Sequence, residues 1–236
     1  MRLDRRLVEE GLAESRTKAQ ALIDEGAVRV DGETVRKRAF EVGPESRVEV
    51  ADNPGFVSRA ARKLEGLFAA YPVAVAGRRC LDAGASTGGF TQILLKHGAA
   101  SVTALDVGHD QLHPSLAADS RVENLQGCDI RTYRPDRPFE IVTCDLSFIS
   151  LRKVLPDLDR LADGVVIVLF KPQFEVGREA ARNRQGVVTD ERAVQSAMAA
   201  FEADAAALGW RLMVRTPSVL PGKEGNREWF YVYRNR

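Results

Sequence analysis

Short apolar runs alternate with helical patterns from about residue 79 to the end of this chain. The apolar runs have the length of strands, and segments 89–97, 152–161 and 190–208 between them have the period of amphipathic helices. This alternation predicts a parallel sheet with helices on both faces. A loop rich in Pro, Gly and Lys at 217–226 joins the last two strands, which are therefore predicted to be antiparallel neighbours. The predicted strands lie near 79–83, 102–106, 123–126, 140–145, 164–170, 210–215 and 228–234.

The first 50 residues have a different pattern, which predicts a separate small α/β unit. A helix begins near Leu3 and ends at Gly11, and Ser15 is a suitable N-cap for a second helix that Gly26 ends. Asp31-Gly32 is a strong signal for a tight hairpin turn between two short strands. The chain therefore divides into a first domain at 1–50, a linker at 51–58 and a second domain at 59–236.

Composition narrows the class of protein. The chain has 236 residues, of which 44% are hydrophobic and 28% charged, as in soluble globular proteins. A net charge of +1 excludes a globally basic nucleic-acid binder, so any RNA contact must use a local patch. The N-terminus is charged and the apolar run at 165–170 is too short to span a bilayer. Three cysteines without metal-ligand spacing predict reduced thiols, a cytoplasmic protein and no metal site.

The clearest candidate for chemistry is the sequence CLDAGASTGGF at 80–90. Glycine-rich turns between a strand and a helix bind nucleotide-like cofactors, but the spacings of dinucleotide sites and P-loops are absent here. The carboxylate of Asp82 would suit a ligand with a cationic end, such as a sulfonium, and Asp106 lies where a ribose-hydroxyl acceptor is expected. This pattern resembles the S-adenosylmethionine (SAM) site of class I methyltransferases. The alternative is a glycine turn with a purely structural role.

Charged residues stand at the ends of several predicted strands. Asp145 and Lys171 follow two apolar strands, Glu228 opens the last strand, and Lys63 lies on the first helix of the second domain. Methyltransferases that modify amines usually have Asn/Asp-Pro-Pro-aromatic where this chain has DLSF at 145–148, which argues against amine methylation. Two lysines and two carboxylates suit a ribose hydroxyl, because a neutral lysine can take its proton.

Six motifs occur in one order along the second domain, and a further pattern covers the first. These motifs resemble the TlyA family, in which an S4 RNA-binding domain precedes an FtsJ-like ribose 2′-O-methyltransferase domain. The first-domain pattern is RLD at 2–4 followed by SR-x2-A-x2-LI-x2-G-x-V-x-VDG at 15–32. The second-domain motifs are VSR-x3-KL at 57–64, DAGASTGGFT at 82–91, ALDVG at 104–108, CDLSFISL at 144–151, KPQFE at 171–175 and GN-x-E at 225–228.

The resemblance implies a SAM-dependent enzyme that methylates a cytidine 2′-hydroxyl in ribosomal RNA, with Lys171 as the base and Lys63, Asp145 and Glu228 orienting it. It also implies an RNA or ribosomal-subunit partner, with no role for DNA or a membrane. The cofactor residues would be Asp82, Gly84, Ser86, Gly88, Gly89, Phe90, Asp106, Val107, Asp129 and Asp145. The RNA-binding residues would be Arg5, Arg6, Arg16, Lys18, Arg36, Lys37 and Arg38.

Two departures from the family pattern affect these expectations. Ala60-Ala61 stands where the family has Gly-Gly or Gly-Ala, and the chain starts almost directly at the S4 helix. The start of the chain almost directly at the S4 helix favours large-subunit RNA as the substrate. Residues 1–50 hold ten Lys and Arg against eleven Asp and Glu, so the basic residues could instead be a solvated surface.

Other readings of the sequence remain open. The chain could be a non-catalytic RNA-binding protein on a methyltransferase scaffold, or a membrane-active haemolysin, a label that this family has carried. Cys144 is interpreted as a core residue rather than a nucleophile, because it faces away from Asp145 on an alternating strand. His109 and His113 have i, i+4 spacing on a possible helix, but without a third ligand they predict a loop role near the cofactor.

Overall fold

The computed structural model describes residues 1–24, 26–50 and 55–235. Its residue contacts divide the chain into two compact units, Met1–Phe56 and Val57–Arg236. Of the linker predicted at 51–58, residues 51–54 lie outside the described residues. Each unit has its own apolar core, so each is described by itself.

The N-terminal unit contains the elements α1 (Leu3–Glu9), α2 (Arg16–Asp24), β1 (Val28–Val30), β2 (Glu33–Thr34) and β3 (Val48–Val50). Strand β1 pairs with β2 on one side and β3 on the other, both antiparallel. The predicted hairpin turn is confirmed, because Asp31 and Gly32 have left-handed φ values of 51° and 87°. Both helices and the sheet contribute apolar side chains to one core.

The boundaries of these elements follow local hydrogen bonds. Ser15 Oγ accepts the N–H of Lys18 at 3.2 Å, which confirms the predicted N-cap of α2. Val35 lies beyond β2, although its N–H still donates to the Val28 carbonyl at 3.0 Å. Leu12 is exposed, because α1 ends before it and its side chain falls outside the helical apolar face.

A buried carboxylate joins α1 to α2. Asp4 Oδ2 accepts from Arg16 Nε at 2.9 Å and Gln20 Nε2 at 2.8 Å, while Oδ1 accepts from Arg2 Nε at 3.1 Å. Burial alone would raise the pKa of Asp4, but the hydrogen bonds from Arg2, Gln20 and Arg16 outweigh it and hold that pKa well below its usual range. The folded unit is therefore built around the charged form of Asp4.

The second unit begins with α3 (Arg59–Ala70) and continues as a doubly wound sheet. Its other helices are α4 (Gly89–Lys96), α5 (Pro114–Ala117), α6 (Leu155–Leu161), α7 (Pro172–Glu175) and α8 (Glu191–Ala207), with a 3₁₀ helix at Leu151–Lys153. Its strands are β4 (Arg79–Ala83), β5 (Ser101–Leu105), β6 (Val122–Leu125), β7 (Phe139–Cys144), β8 (Ala162–Phe170), β9 (Arg211–Pro217) and β10 (Trp229–Arg234).

Within the described residues, these strands form a seven-stranded sheet in the order β6-β5-β4-β7-β8-β10-β9. The pairs from β6 to β8 are parallel, whereas β10 is antiparallel to both β8 and β9. This confirms the predicted mostly parallel sheet and the antiparallel final pair. Because β10 alone among the described strands of this sheet runs in the reverse direction, its amino end meets the carboxyl ends of β4, β7 and β8.

Two predicted helices differ in the structure. The helix predicted at 152–161 is divided into a 3₁₀ turn and α6, whose second residue is Pro156. The possible helix over His109 and His113 does not form, and their loop role near the cofactor stays a prediction. His109 lies in a bend, and His113 is the N-cap of α5, which Pro114 begins.

We expect Asp4→Ala to lower the free energy of unfolding of the N-terminal unit by about 2 kcal/mol, because it removes a buried acceptor from three donors. The folded-state pKa of Asp4 lies below its unfolded value, so its contribution is present above about pH 4 and is lost as the pH falls further. Hydrogen exchange of the amides of α1 and α2 measures this change. Tryptophan fluorescence would not, because Trp210 and Trp229 both lie in the second unit. Glu9→Ala, an exposed carboxylate on the same helix, is the matched control. Equal exchange protection in the two variants would contradict the role of Asp4.

Candidate active site

The turn after β4 depends on glycines that have no room for a side chain. Gly84 and Gly88 have left-handed φ values of 82° and 90°. A Cβ on Gly84 would lie 2.8 Å from the Asp145 carbonyl oxygen, and one on Gly89 would lie 2.8 Å from the Ala61 backbone nitrogen. A Cβ on Gly88 would clash with Leu116. The Cβ positions of Gly88 and Gly89 face protein atoms, and the predicted contact of these glycines with a cofactor stays a prediction.

The carboxylate of Asp82 is enclosed beneath this turn. Its Oδ2 accepts from the N–H of Thr91 at 2.8 Å and from Thr91 Oγ1 at 2.7 Å, and its Oδ1 accepts from Thr143 Oγ1 at 3.1 Å. Burial raises the pKa of Asp82 to about 6, against the opposing hydrogen bonds from Thr91 and Thr143. Asp82 thus anchors the first turn of α4, and its predicted contact with a cationic ligand end stays a prediction.

Asp106, at the end of β5, organises the neighbouring loop. Its Oδ2 accepts the N–H of Ser86 and its Oδ1 the N–H of Gly108, both at 2.8 Å. Ser86 Oγ donates to Gln111 Oε1 at 3.0 Å, a contact that no sequence signal indicated. Val107, next to Asp106, is exposed. The loop therefore places a carboxylate and an exposed apolar side chain next to each other. The predicted contact between Asp106 and a cofactor ribose stays a prediction.

Two other predicted cofactor residues have partners within the protein. The ring of Phe90 is buried and packs on Phe230 with 5.9 Å between centroids, so it belongs to the core below the turn. Asp129 forms an ion pair with Arg131 at 2.5 Å, and hydrogen bonds from Arg131 lower the pKa of Asp129. Phe90 therefore packs in the core, and cofactor roles for Phe90 and Asp129 stay predictions.

Lys63 and Glu228 form a buried ion pair. Lys63 Nζ donates to Glu228 Oε2 at 2.6 Å, and the side chains retain 9% and 2% of their exposure. Lys63 lies on α3, and Glu228 immediately precedes β10. Gln173 Nε2 reaches the other oxygen of Glu228 at 3.5 Å. The sequence did not single out Gln173, although it belongs to the KPQFE motif.

Lys171 and Asp145 form the second pair. Lys171 Nζ lies 2.6 Å from Asp145 Oδ1, and it donates a hydrogen bond to Ser147 Oγ at 3.0 Å. The first contact is an ion pair, so Asp145 Oδ1 is held by the Lys171 ammonium. The N–H of Asp145 donates to the Ala83 carbonyl at 3.0 Å, which fixes this pair beside the glycine turn. Ser147 was not predicted as a site residue, although it belongs to the DLSF motif at 145–148.

Sheet register explains why the two pairs meet. Trp229 of β10 lies opposite Phe170 of β8, so the preceding Glu228 and the following Lys171 occupy neighbouring strand ends. The structure thus brings the four predicted catalytic residues to one edge of the sheet, next to the turn after β4. Two ammonium groups and two carboxylates, all of them largely buried, can orient a hydroxyl group and exchange a proton with it.

Cys144 is excluded as a nucleophile at this edge. It is fully buried in the main core, and burial raises the pKa of its thiol to about 12. A thiol of that pKa is protonated at neutral pH, and the thiolate is the nucleophilic form. The interpretation of Cys144 as a core residue is therefore confirmed.

The predicted RNA-binding residues lie in the N-terminal unit, and several are engaged with acids. Arg6, Arg16 and Arg38 form ion pairs with Glu10, Asp4 and Asp24. Arg36 donates to the Asp24 carbonyl at 3.0 Å, and Lys18 is half-buried. Arg5 and Lys37 are exposed. Exposed basic side chains are thus present, and whether they bind RNA stays a prediction.

Comparisons with known proteins bear on both units. The family model for the S4 domain matches residues 1–48, and that for the FtsJ-like methyltransferase matches residues 56–236. No helix in the described part of the chain has the length and apolar character that crossing a membrane requires.

Three curated relatives show how far the similarity extends. "23S rRNA (cytidine-2'-O)-methyltransferase TlyA" of Campylobacter jejuni is 46% identical over 75% of this chain and 70% of its own length. "16S/23S rRNA (cytidine-2'-O)-methyltransferase TlyA" of Mycobacterium tuberculosis is 44% identical over 100% of this chain and 90% of its own. "Hemolysin A" of Brachyspira hyodysenteriae is 37% identical over 97% of this chain and 98% of its own. With these relatives and both family models matched, the chain belongs to the TlyA family, in which an S4 domain precedes an FtsJ-like methyltransferase domain.

Proposed function

We propose that this protein is a SAM-dependent methyltransferase that modifies the ribose 2′-hydroxyl of a cytidine in ribosomal RNA. The observation that carries the proposal is the meeting of two lysine–carboxylate pairs beside the glycine turn. Both rRNA methyltransferase relatives described above have 23S rRNA in their names, so large-subunit RNA is the first candidate and small-subunit RNA the second. The proposed compartment is the cytoplasm, where ribosomal RNA is found.

Features of this edge of the sheet fit a SAM molecule. Asp145 forms an ion pair with Lys171 beside the glycine turn, and its carboxylate would also attract the ammonium group of the ligand. Asp106 and the exposed Val107 would hold its ribose and adenine ends. When bound, SAM supplies an electrophilic methyl group. The residues of the chain then have to bind the acceptor hydroxyl, orient it and take its proton.

Lys171 is placed to take that proton. Its Nζ already makes a hydrogen bond to one hydroxyl, Ser147 Oγ, at 3.0 Å, and a ribose hydroxyl would replace or join that contact. A lysine can accept a proton only as the neutral amine. Asp145 and Glu228 hold the two lysines in place, and positioning of this kind supplies much of the rate.

An exposed aromatic ring marks the path of the target nucleotide. Phe148 is 92% exposed and has a left-handed φ of 66°, a conformation that costs about 1–3 kcal/mol in a non-glycine residue. Its ring contacts Phe174 with 5.2 Å between centroids. Largely buried lysines need the target nucleotide to leave its stack, and an exposed ring beside them can stack on the extruded base. The exposed ring next to Ser147 therefore supports an unpaired RNA nucleotide as substrate.

A relative named "Hemolysin A" motivates a second assay for lysis. Leakage of dye from lipid vesicles, at protein concentrations that leave RNA unmodified, would favour a membrane-active protein. A folded protein without saturable heat on titration with SAM would favour the non-catalytic RNA-binding alternative.

Transfer of tritiated methyl groups from SAM to 23S RNA, 16S RNA or isolated subunits tests the proposal directly. We expect Lys171→Ala to reduce transfer by at least about 100-fold, the range in which general bases act. Its SAM affinity by calorimetry should change by less than about threefold, because Lys171 is assigned to the acceptor and not the donor. Lys153→Ala, an exposed lysine on the 3₁₀ helix, is the control with normal transfer. Near-normal turnover of Lys171→Ala would remove Lys171 from the mechanism.

Removing the exposed ring should weaken use of the RNA substrate. We expect Phe148→Ala to lower kcat/KM for RNA by about tenfold or more, because base stacking on an aromatic side chain contributes about 1–3 kcal/mol. Phe148→Trp should retain most of the activity, since it keeps an aromatic face. SAM affinity should be the same in both variants. Equal losses in the alanine and tryptophan variants would refute stacking.

Two exposed basic residues test the N-terminal unit as an RNA-binding domain. We expect Arg5→Ala with Lys37→Ala to weaken RNA binding and to reduce the slope of log K against log salt by about 1–2, one unit for each phosphate that the variant no longer neutralises. SAM affinity should stay at the wild-type value. An unchanged salt slope would mean that these residues do not bind phosphate.

A further inference from the structure

The segments that follow β7 and β8 are joined by a carboxylate to which the mechanism above assigns no role. Glu175, the last residue of α7, accepts the backbone N–H of Leu151 at 2.8 Å through Oε1 and the hydroxyl of Ser150 at 2.7 Å through Oε2. Both donors belong to segment 145–151, which begins with Asp145. The two oxygens of one side chain therefore hold the end of that segment against α7.

The surroundings of Glu175 are unlike those of a surface carboxylate. It is half-buried, and among the described residues no cation forms an ion pair with it. Burial raises the pKa of Glu175, while the hydrogen bonds from Leu151 and Ser150 and the more distant charge of Arg152 oppose the rise. A partly desolvated carboxylate with two neutral donors adds little net stability. Its clearest consequence is geometric, because it orients both donors.

The segment held by Glu175 carries three groups of the active site. Asp145 is fixed at one end by its hydrogen bond to β4, and Glu175 fixes the other end. Between these anchors, Ser147 accepts the hydrogen bond of Lys171, and Phe148 takes its left-handed conformation against Phe174. A strained residue keeps such a conformation only while its surroundings hold it there. Without the second anchor, Ser147 and Phe148 would have other conformations available.

We infer that Glu175 is a positioning residue, which sets the conformation of segment 145–151 and thereby aligns Lys171 and the extruded nucleotide for methyl transfer. The inference rests on the proposed function for its effect on catalysis. Its structural part concerns the order of one loop and can be measured without any substrate.

The first experiment compares Glu175→Ala, Glu175→Gln and the exposed control Glu179→Ala in the tritiated methyl-transfer assay. We expect Glu175→Ala to lower kcat by about tenfold or more with KM for SAM within about twofold, the pattern of an interaction needed in the transition state. Glu175→Gln should recover most of kcat, because its amide oxygen still accepts from Leu151 and its amide NH₂ can donate to Ser150 Oγ. Glu179→Ala should behave as the wild type. Wild-type kcat in Glu175→Ala would overturn the inference.

The second experiment measures hydrogen exchange of segment 145–151 in the same full-length variants. We expect exchange of the Leu151 amide to be at least about tenfold faster in Glu175→Ala than in Glu175→Gln, since local opening governs protection. Amides of β4 and β5 should exchange at the wild-type rate in both variants. Faster exchange throughout the second unit would instead indicate a general folding defect and overturn the positioning role.

A double-mutant cycle separates this loop effect from other consequences of losing a carboxylate. If Glu175 acts through Ser150 and its segment, Ser150→Ala should cost little further activity in a Glu175→Ala background, so the two effects should be non-additive. Additive losses would contradict coupling through this hydrogen bond. The two proposals can fail separately. Wild-type protein without methyl transfer to any ribosomal RNA would refute the proposed function, whereas an active enzyme with unchanged loop exchange in Glu175→Ala would refute only the role of Glu175.

Discussion

The buried pair between Lys63 and Glu228 is the interaction on which the active-site edge depends. A lysine and a glutamate taken out of water each carry a large desolvation cost, which is offset only when they meet at hydrogen-bonding distance. Removing one partner of such a pair typically costs about 3–5 kcal/mol, because the other charge is left buried and unpaired. These two residues are separated by 165 positions in the sequence. Helix α3 and the start of β10 must therefore be held together for the two residues to pair.

The direction of β10 follows from the same constraint. Because β10 is antiparallel to β8, its first residue lies beside the last residue of β8, and Glu228 and Lys171 become neighbours. A parallel strand in the same place would carry Glu228 to the opposite edge of the sheet, away from both lysines. Gly84 serves the same edge, since the Asp145 backbone approaches it where any Cβ would lie. Sheet topology and one glycine together bring the second ion pair beside the first.

Several residues chosen from motifs have tasks inside the protein. Asp82 and Phe90 flank the glycine turn in the sequence, which favoured contact with a ligand. Both are buried, and they hold α4 against the sheet. A strand-end acid can face an open crevice or the N–H groups of the next helix, and the linear sequence does not distinguish these directions. For Glu175 the sequence shows the motif KPQFE, but it does not show the hydrogen bonds that the carboxylate accepts from Ser150 and Leu151.

The sequence by itself determined the period of the helices and strands, the division between the first 50 residues and the rest, and the identity of the four charged residues. These features are local or follow from residue type, since hydrophobic period and turn chemistry act over a few positions. The tertiary structure decided which lysine pairs with which carboxylate, that Asp82 and Phe90 are buried, and that Glu175 anchors the segment after Asp145. Such contacts join residues far apart in the chain. They depend on strand order, register and packing, which single-residue patterns do not specify.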